Sequence, residues 1–170
     1  LKCHRMFLYH HVVLFSAHYA GGWNYSALNR KNNINQTDTL SGRNVNTLEN
    51  GNILGYQEKY VRKIVRELNM FDNIYFEIQN EPWADQVDTT MIANAYGPSD
   101  DWRSMMQVVS EKSNAWQRKV AAWIKDEESK LPKKHLIAQN IGNFRYPITN
   151  PDPNISIFNF HYTFPAAAHE

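Results

Sequence analysis

The sequence predicts an α/β protein built on parallel strands, and three features predict it. Four short runs rich in β-branched and aromatic residues, at 11–17, 74–79, 135–140 and 155–162, have the continuous apolar character of strands covered on both faces. Two long segments with helical spacing, 53–70 and about 102–130, separate the first three runs. Strands alternating with helices make βαβ units, whose parallel strands are joined by right-handed crossovers.

The first strand, HVVLFSA at 11–17, leads through Gly21-Gly22 into a polar segment at 23–52 rich in Asn, Thr, Ser and Gly. A connection this long inside a compact domain is usually functional or disordered. It leaves a strand's carboxyl end, so it lies on the rim where α/β proteins bind ligands. It carries two glycosylation sequons, at Asn24 and Asn35, and a third sits at Asn154. Such tripeptides arise readily in Asn-rich sequence and weigh little. The helix at 53–70 places Ile53, Tyr60, Val61, Ile64, Val65 and Leu68 on one face. Lys59, Arg62, Lys63, Arg66 and Glu67 read as its solvated side, with Glu58 and Arg62 an i,i+4 pair.

The turn Phe71-Asp72-Asn73 leads into the second strand, which stops at Asn80-Glu81-Pro82. Proline cannot continue a ladder, so the chain turns out there and leaves Asn80 and Glu81 at a strand's carboxyl end. A loop at 84–101 with a Gly97-Pro98 breaker shares that rim. In the helix that follows, Val109, Trp116, Val120, Trp123 and Ile124 form the apolar stripe and Pro132 ends it. Trp116 and Trp123 read as core residues rather than sugar platforms. A third strand (HLIAQN, 135–140) and a Pro- and Asn-rich connection without a helix precede the fourth strand.

The 170 residues suffice for one domain with a sizeable core. A formal charge of +1, with no basic run longer than Lys133-Lys134, implies neither nucleic acid nor an anionic membrane as partner. Cys3 is the single cysteine, which excludes an internal disulfide and a cysteine-based metal site. The seven histidines include no His-Glu-x-x-His arrangement, so no metal or cofactor is implied. Residues 6–17, behind Lys2 and Arg5, have the outline of a signal peptide, which leaves secretion open. His10 and His11 interrupt its apolar run and favour a buried strand at 12–16. No stretch is long and apolar enough to span a membrane as a helix.

Phe76-Glu77-Ile78-Gln79-Asn80-Glu81-Pro82 resembles the acid/base signature of retaining glycoside hydrolases with a (β/α)8 barrel, the cellulase-like family 5 and its relatives. The resemblance implies a partial TIM barrel. Residues 12–15, 74–79, 136–140 and 155–160 would be its third to sixth strands. A whole barrel needs ~250 residues. Leu1 is no start methionine, and the sequence stops soon after the fourth run, so the expectation is the middle of a larger enzyme, a single incomplete catalytic domain over 1–170.

The same resemblance makes Glu81 the general acid/base and places Asn80 on the sugar's 2-hydroxyl. The 2-hydroxyl contact strengthens as the oxocarbenium-like transition state develops. Glu81 must then be protonated at the start of the reaction, which desolvation and a nearby nucleophile carboxylate favour. His161 and Tyr162, adjacent here where the family often has one residue between them, stand at the sixth strand's end. His18 and Tyr19 stand at the third strand's end, and Trp83 follows the motif; all five are candidate substrate contacts. Retention also needs a nucleophile ~5–5.5 Å from the acid, which the family carries at the end of its seventh strand.

Glu170 follows His161 too closely for a helix and a strand to intervene. The nucleophile is therefore expected outside this sequence, as are the first two strands and an arginine of the second, and the 170 residues alone are expected to be inactive. The substrate implied is a β-linked poly- or oligosaccharide. Two alternatives stand beside this reading. One is a non-catalytic carbohydrate-binding barrel relative. The other is an unrelated open α/β enzyme, which Gly21-Gly22 does not support because it lacks the dinucleotide fingerprint.

Overall fold

The structure is a computed structural model and describes residues 9–88, 107–143, 147–148 and 150–161. It is a mixed α/β fold. Strands β1 (His10–Ser16), β2 (Ile74–Asn80), β3 (Leu136–Gly142) and β4 (Ile157–Phe160) form one sheet in the order β1-β2-β3-β4. Every pairing is parallel. Helix α1 (Ile53–Leu68) connects β1 to β2, and α2 (Glu111–Ser129) lies between β2 and β3. The two helices pack on each other. Val61 and Val65 of α1 and Trp116, Val120 and Ile124 of α2 meet Leu14, Phe76, Ile78 and Ile137 of the sheet in one core. Each such side chain contributes about 1.5–3 kcal/mol when fully buried. Trp116 and Trp123 are both buried, as a core role requires.

The expectation of strands covered on both faces holds for β2 and fails for β1. In β1 only Leu14 is buried, and Val13 is 41 % exposed. Among the described residues β1 pairs on one side alone, with β2. The fourth strand is also shorter than its apolar run, because Ile155 closes a turn on the Asp152 carbonyl before β4 begins.

The buried stripe of α1 contains a residue that apolar periodicity passes over. Gln57 is 1 % exposed and fully engaged. Its Nε2 donates to the Val45 carbonyl (3.0 Å) and to Asn46 Oδ1 (3.2 Å). Its Oε1 accepts from Asn50 Nδ2 (2.8 Å) and Trp116 Nε1 (3.0 Å). Tyr60, expected on the apolar face, is 44 % exposed and pairs with Phe15 in a T-shaped contact. Nor is the charged side merely solvated. Arg62 reaches Asp126 (2.6 Å) and Glu127 (3.1 Å) on α2, and Arg66 reaches Glu127 (2.7 Å). Hydrogen bonding from Arg66 holds the Glu127 carboxyl below the ordinary carboxylate range.

Helix α2 starts at Glu111, after the cap residue Ser110, later than the periodicity suggests; residues 102–106 lie outside the described residues. Val109 is therefore not on the helix. It bridges Val87 while Val108 bridges Gly142, both antiparallel. The backbone of 107–110 finds its partners across the rim. Val109 N–H donates to the Ile141 carbonyl (2.9 Å) and Ser110 N–H to the Gln86 carbonyl (2.7 Å). Two consecutive β-branched residues suit that extended path better than a helix.

At the far end of α2, Glu128 and His135 form a buried pair. The Glu128 carboxylate accepts from His135 Nδ1 (2.6 Å) and from the His135 backbone N–H (3.1 and 3.2 Å). His135 Nε2 lies 2.8 Å from the Phe71 carbonyl oxygen. Both ring nitrogens thus face pure acceptors, and the ring bridges α2 to the turn before β2.

The polar segment at 23–52 is ordered by its own asparagines. A 3-10 turn at Tyr19–Tyr25 leads into it, and two more, Arg30–Asn32 and Gly42–Asn44, lie within it. Asn29 caps the second turn and donates to the Trp23 carbonyl. Asn32 donates to the carbonyls of Asn24 and Ser26, and Asn33 to those of Ala27 and Asn29. Side-chain amides here replace the ladder that a loop lacks. At Gly51, φ is +59° and an added Cβ would run into the Asp38 carboxyl group, so glycine is strongly favoured.

Candidate active site

The carboxyl ends of all four strands converge on Glu81. Strand β2 runs buried on both faces to Asn80, and Pro82 then begins the 3-10 turn Pro82–Ala84. Between them Glu81 takes φ +50°, ψ +54°. A non-glycine residue in this left-handed region costs about 1–3 kcal/mol and persists only where its surroundings hold it. They do so here: its N–H donates to Asn140 Oδ1 (3.1 Å) from the end of β3. The Glu81 side chain is 11 % exposed at the rim.

Each carboxyl oxygen has a partner from a different strand. The Tyr19 hydroxyl, just past β1, donates to Oε2. His161 Nδ1, just past β4, lies 3.1 Å from Oε1. His161 is set by its N–H, which donates to the Gly142 carbonyl (3.0 Å). Gly142 follows an extra residue, Ile141, in the β3–β4 register, and such bulges re-aim side chains beside sites. The Glu81–His161 contact serves either ionisation state. A protonated ring nitrogen donates to the carboxylate, and a protonated carboxyl donates to the bare nitrogen. The arrangement thus holds a proton at Oε1 or Nδ1, as a group that gives and takes protons needs.

Around this centre, Trp83 is 3 % exposed and presents its ring to His161 edge-on, centroids 5.3 Å apart. Asn80 is half-buried, and its carbonyl accepts from the Ala17 N–H (3.1 Å), tying β2 to the exit of β1. His18 turns to Asp85, and a cavity of about 390 Å³ opens beside it, lined by Ser16, Tyr19, Tyr25 and Asn46 among others. Of the residues expected at the site, Glu81, Tyr19, His161 and Trp83 form one contact cluster. Asn80 and His18 adjoin it in sequence, and Tyr162 lies outside the described residues.

Two participants escaped the sequence reading. Asn140 looked like an ordinary strand residue, its only signal being a strand-terminal place matching that of Asn80. Asp85 lies in the 84–101 rim loop, where no local pattern sets it apart from its neighbours. Glu77, within the motif, is itself 1 % exposed. It accepts from Asn159 Nδ2 (2.6 Å) and lies 3.0 Å from His11 Nε2. Among the described residues no group of three or more His, Cys, Asp or Glu is placed to hold a metal ion, and no helix is long and apolar enough to cross a membrane. Comparison with protein-family models, curated proteins and solved structures gives no match to this chain.

Proposed function

We propose that this chain carries the acid/base half of a retaining glycoside hydrolase acting on β-linked poly- or oligosaccharides, within a partial (β/α)8 barrel. The observation that carries the reading is Glu81 itself. It is a nearly buried carboxyl group in a strained backbone at the carboxyl end of a parallel strand, with Tyr19 and His161 on its two oxygens. The strand order supports a barrel. Successive strands are neighbours throughout and the two helices pack together, whereas an open doubly wound sheet reverses order at a switch point.

In this reading Glu81 protonates the leaving oxygen and then deprotonates water. Tyr19 and His161 orient its carboxyl group, and Asn80 binds the 2-hydroxyl. In the family this chain resembles, the nucleophile stands at the end of the seventh strand, and among the described residues four strands are present. The test is made in the full-length enzyme. Glu81→Ala should slow substrates with poor leaving groups most, since a good leaving group departs without protonation. On substrates with good leaving groups glycosyl-enzyme should accumulate, and azide, which needs no base, should restore turnover as a β-glycosyl azide. If azide neither accelerates the reaction nor yields that product, Glu81 is not the acid/base residue.

A further inference from the structure

Asp85 is spent entirely on His18. Its Oδ1 and Oδ2 accept the His18 backbone N–H at 3.1 and 3.2 Å, and Oδ2 lies 3.3 Å from His18 Nδ1. Both side chains are largely covered, 5 % and 15 % exposed. The Trp23 ring stands edge-on to the imidazole, with centroids 5.3 Å apart, and limits its rotation. A carboxylate only accepts hydrogen bonds, so a ring nitrogen bonded to it must carry the proton. Neutral His18 is then the Nδ1–H tautomer, with a lone pair on Nε2. That nitrogen makes no hydrogen bond among the described residues, and His18 lines the rim cavity next to Tyr19.

We propose that Asp85 is a positioning residue that fixes His18 as the Nδ1–H tautomer, so that Nε2 accepts a hydrogen bond from a hydroxyl group of the ligand. The hydroxyl ligand rests on the carbohydrate reading above; the tautomer does not. The logic parallels metal and catalytic histidines, whose far nitrogen is set by the bond the near one makes. A purely structural Asp85 would anchor the backbone N–H of His18 and leave the ring indifferent.

The tautomer is read directly by ¹⁵N NMR of the histidine-labelled chain, at a pH where the His18 signals show a neutral ring. An unprotonated ring nitrogen resonates far downfield of a protonated one. In the wild type the downfield nitrogen should be Nε2. Asp85→Ala should give a mixture in which the Nε2–H form is substantially populated. Asp85→Asn, whose Oδ1 still accepts, should restore the wild-type pattern. A wild-type His18 protonated on Nε2 overturns the proposal, as does an Asp85→Ala variant that keeps the wild-type tautomer. The wild-type spectrum alone can refute it, so the test survives a variant that fails to fold. In the full-length enzyme, absent glycosidase activity with the predicted tautomer intact would refute the carbohydrate reading and leave the role of Asp85 in setting the tautomer standing.

Discussion

Glu128→Ala should be among the most damaging single changes in this protein. The carboxylate takes three hydrogen-bond contacts from His135, one from the ring and two from its backbone N–H. Both side chains are essentially inaccessible, at 0 % and 2 % exposure. Truncation leaves an imidazole and a backbone donor facing a void. Removing one partner of a buried pair costs about 3–5 kcal/mol, because the other remains buried without compensation. For a chain of this size that corresponds to a fall in Tm of about 6–20 °C. Urea denaturation measures the same loss as a lower midpoint at unchanged slope. Glu128→Gln keeps one acceptor oxygen and should lose less, about 1–3 kcal/mol. In a cycle with His135→Phe, the double variant should recover part of the loss, but not all, since the backbone N–H of residue 135 still lacks its acceptor. A Glu128→Ala midpoint equivalent to less than about 1 kcal/mol would refute the reasoning.

Gly51→Ala should destabilise by at least the ~1–2 kcal/mol of a left-handed L-residue, plus whatever Asp38 needs to move, and a thermal melt checks this. Acid should loosen the α1–α2 contact. The Glu127 carboxyl is depressed by Arg66, so its contribution is present above the unfolded carboxylate range and lost as pH falls through the lower folded value. At a partly exposed pair the effect is about 0.2–1 kcal/mol, and Arg66→Ala should flatten that part of the stability–pH curve below about pH 4.5. The outer edges of β1 and β4, unpaired among the described residues, together with the half-exposed Val13 and Leu136, should drive association at micromolar concentration. Light scattering showing a stable monomer would count against this.

Sequence legibility followed locality. Helix α1 and strand β2 were readable because their periods are long and Pro82 marks the exit. Glu81, Tyr19 and His161 were placed together by one argument, that parallel strands end on a common rim. What could not be read depends on contacts between distant segments. The start of α2 was masked by Val109, whose apolar character fits a helix stripe as well as the rim bridge it makes with Val87. Gln57 sits in the buried stripe because three loop residues and a tryptophan of another helix happen to satisfy it. Asn140 and Asp85 act on residues 59 and 67 positions away, a distance at which no local pattern carries information.

The asparagine framework of the 23–52 segment has a consequence for how the protein ages and varies. An amide offers a donor and an acceptor on one small head, and at Asn29, Asn32, Asn33 and Asn50 the donor points at a backbone carbonyl. Exchange of that nitrogen for oxygen, by a single-base change or by slow hydrolysis, alters shape hardly at all. It nevertheless turns an attraction into two acceptors facing each other, with a negative charge added. Asn50, fully buried and followed by glycine, carries this liability furthest inward, because its amide also holds Gln57 and through it Trp116. Asp at position 50 would thus reach from a surface loop into the contact between both helices.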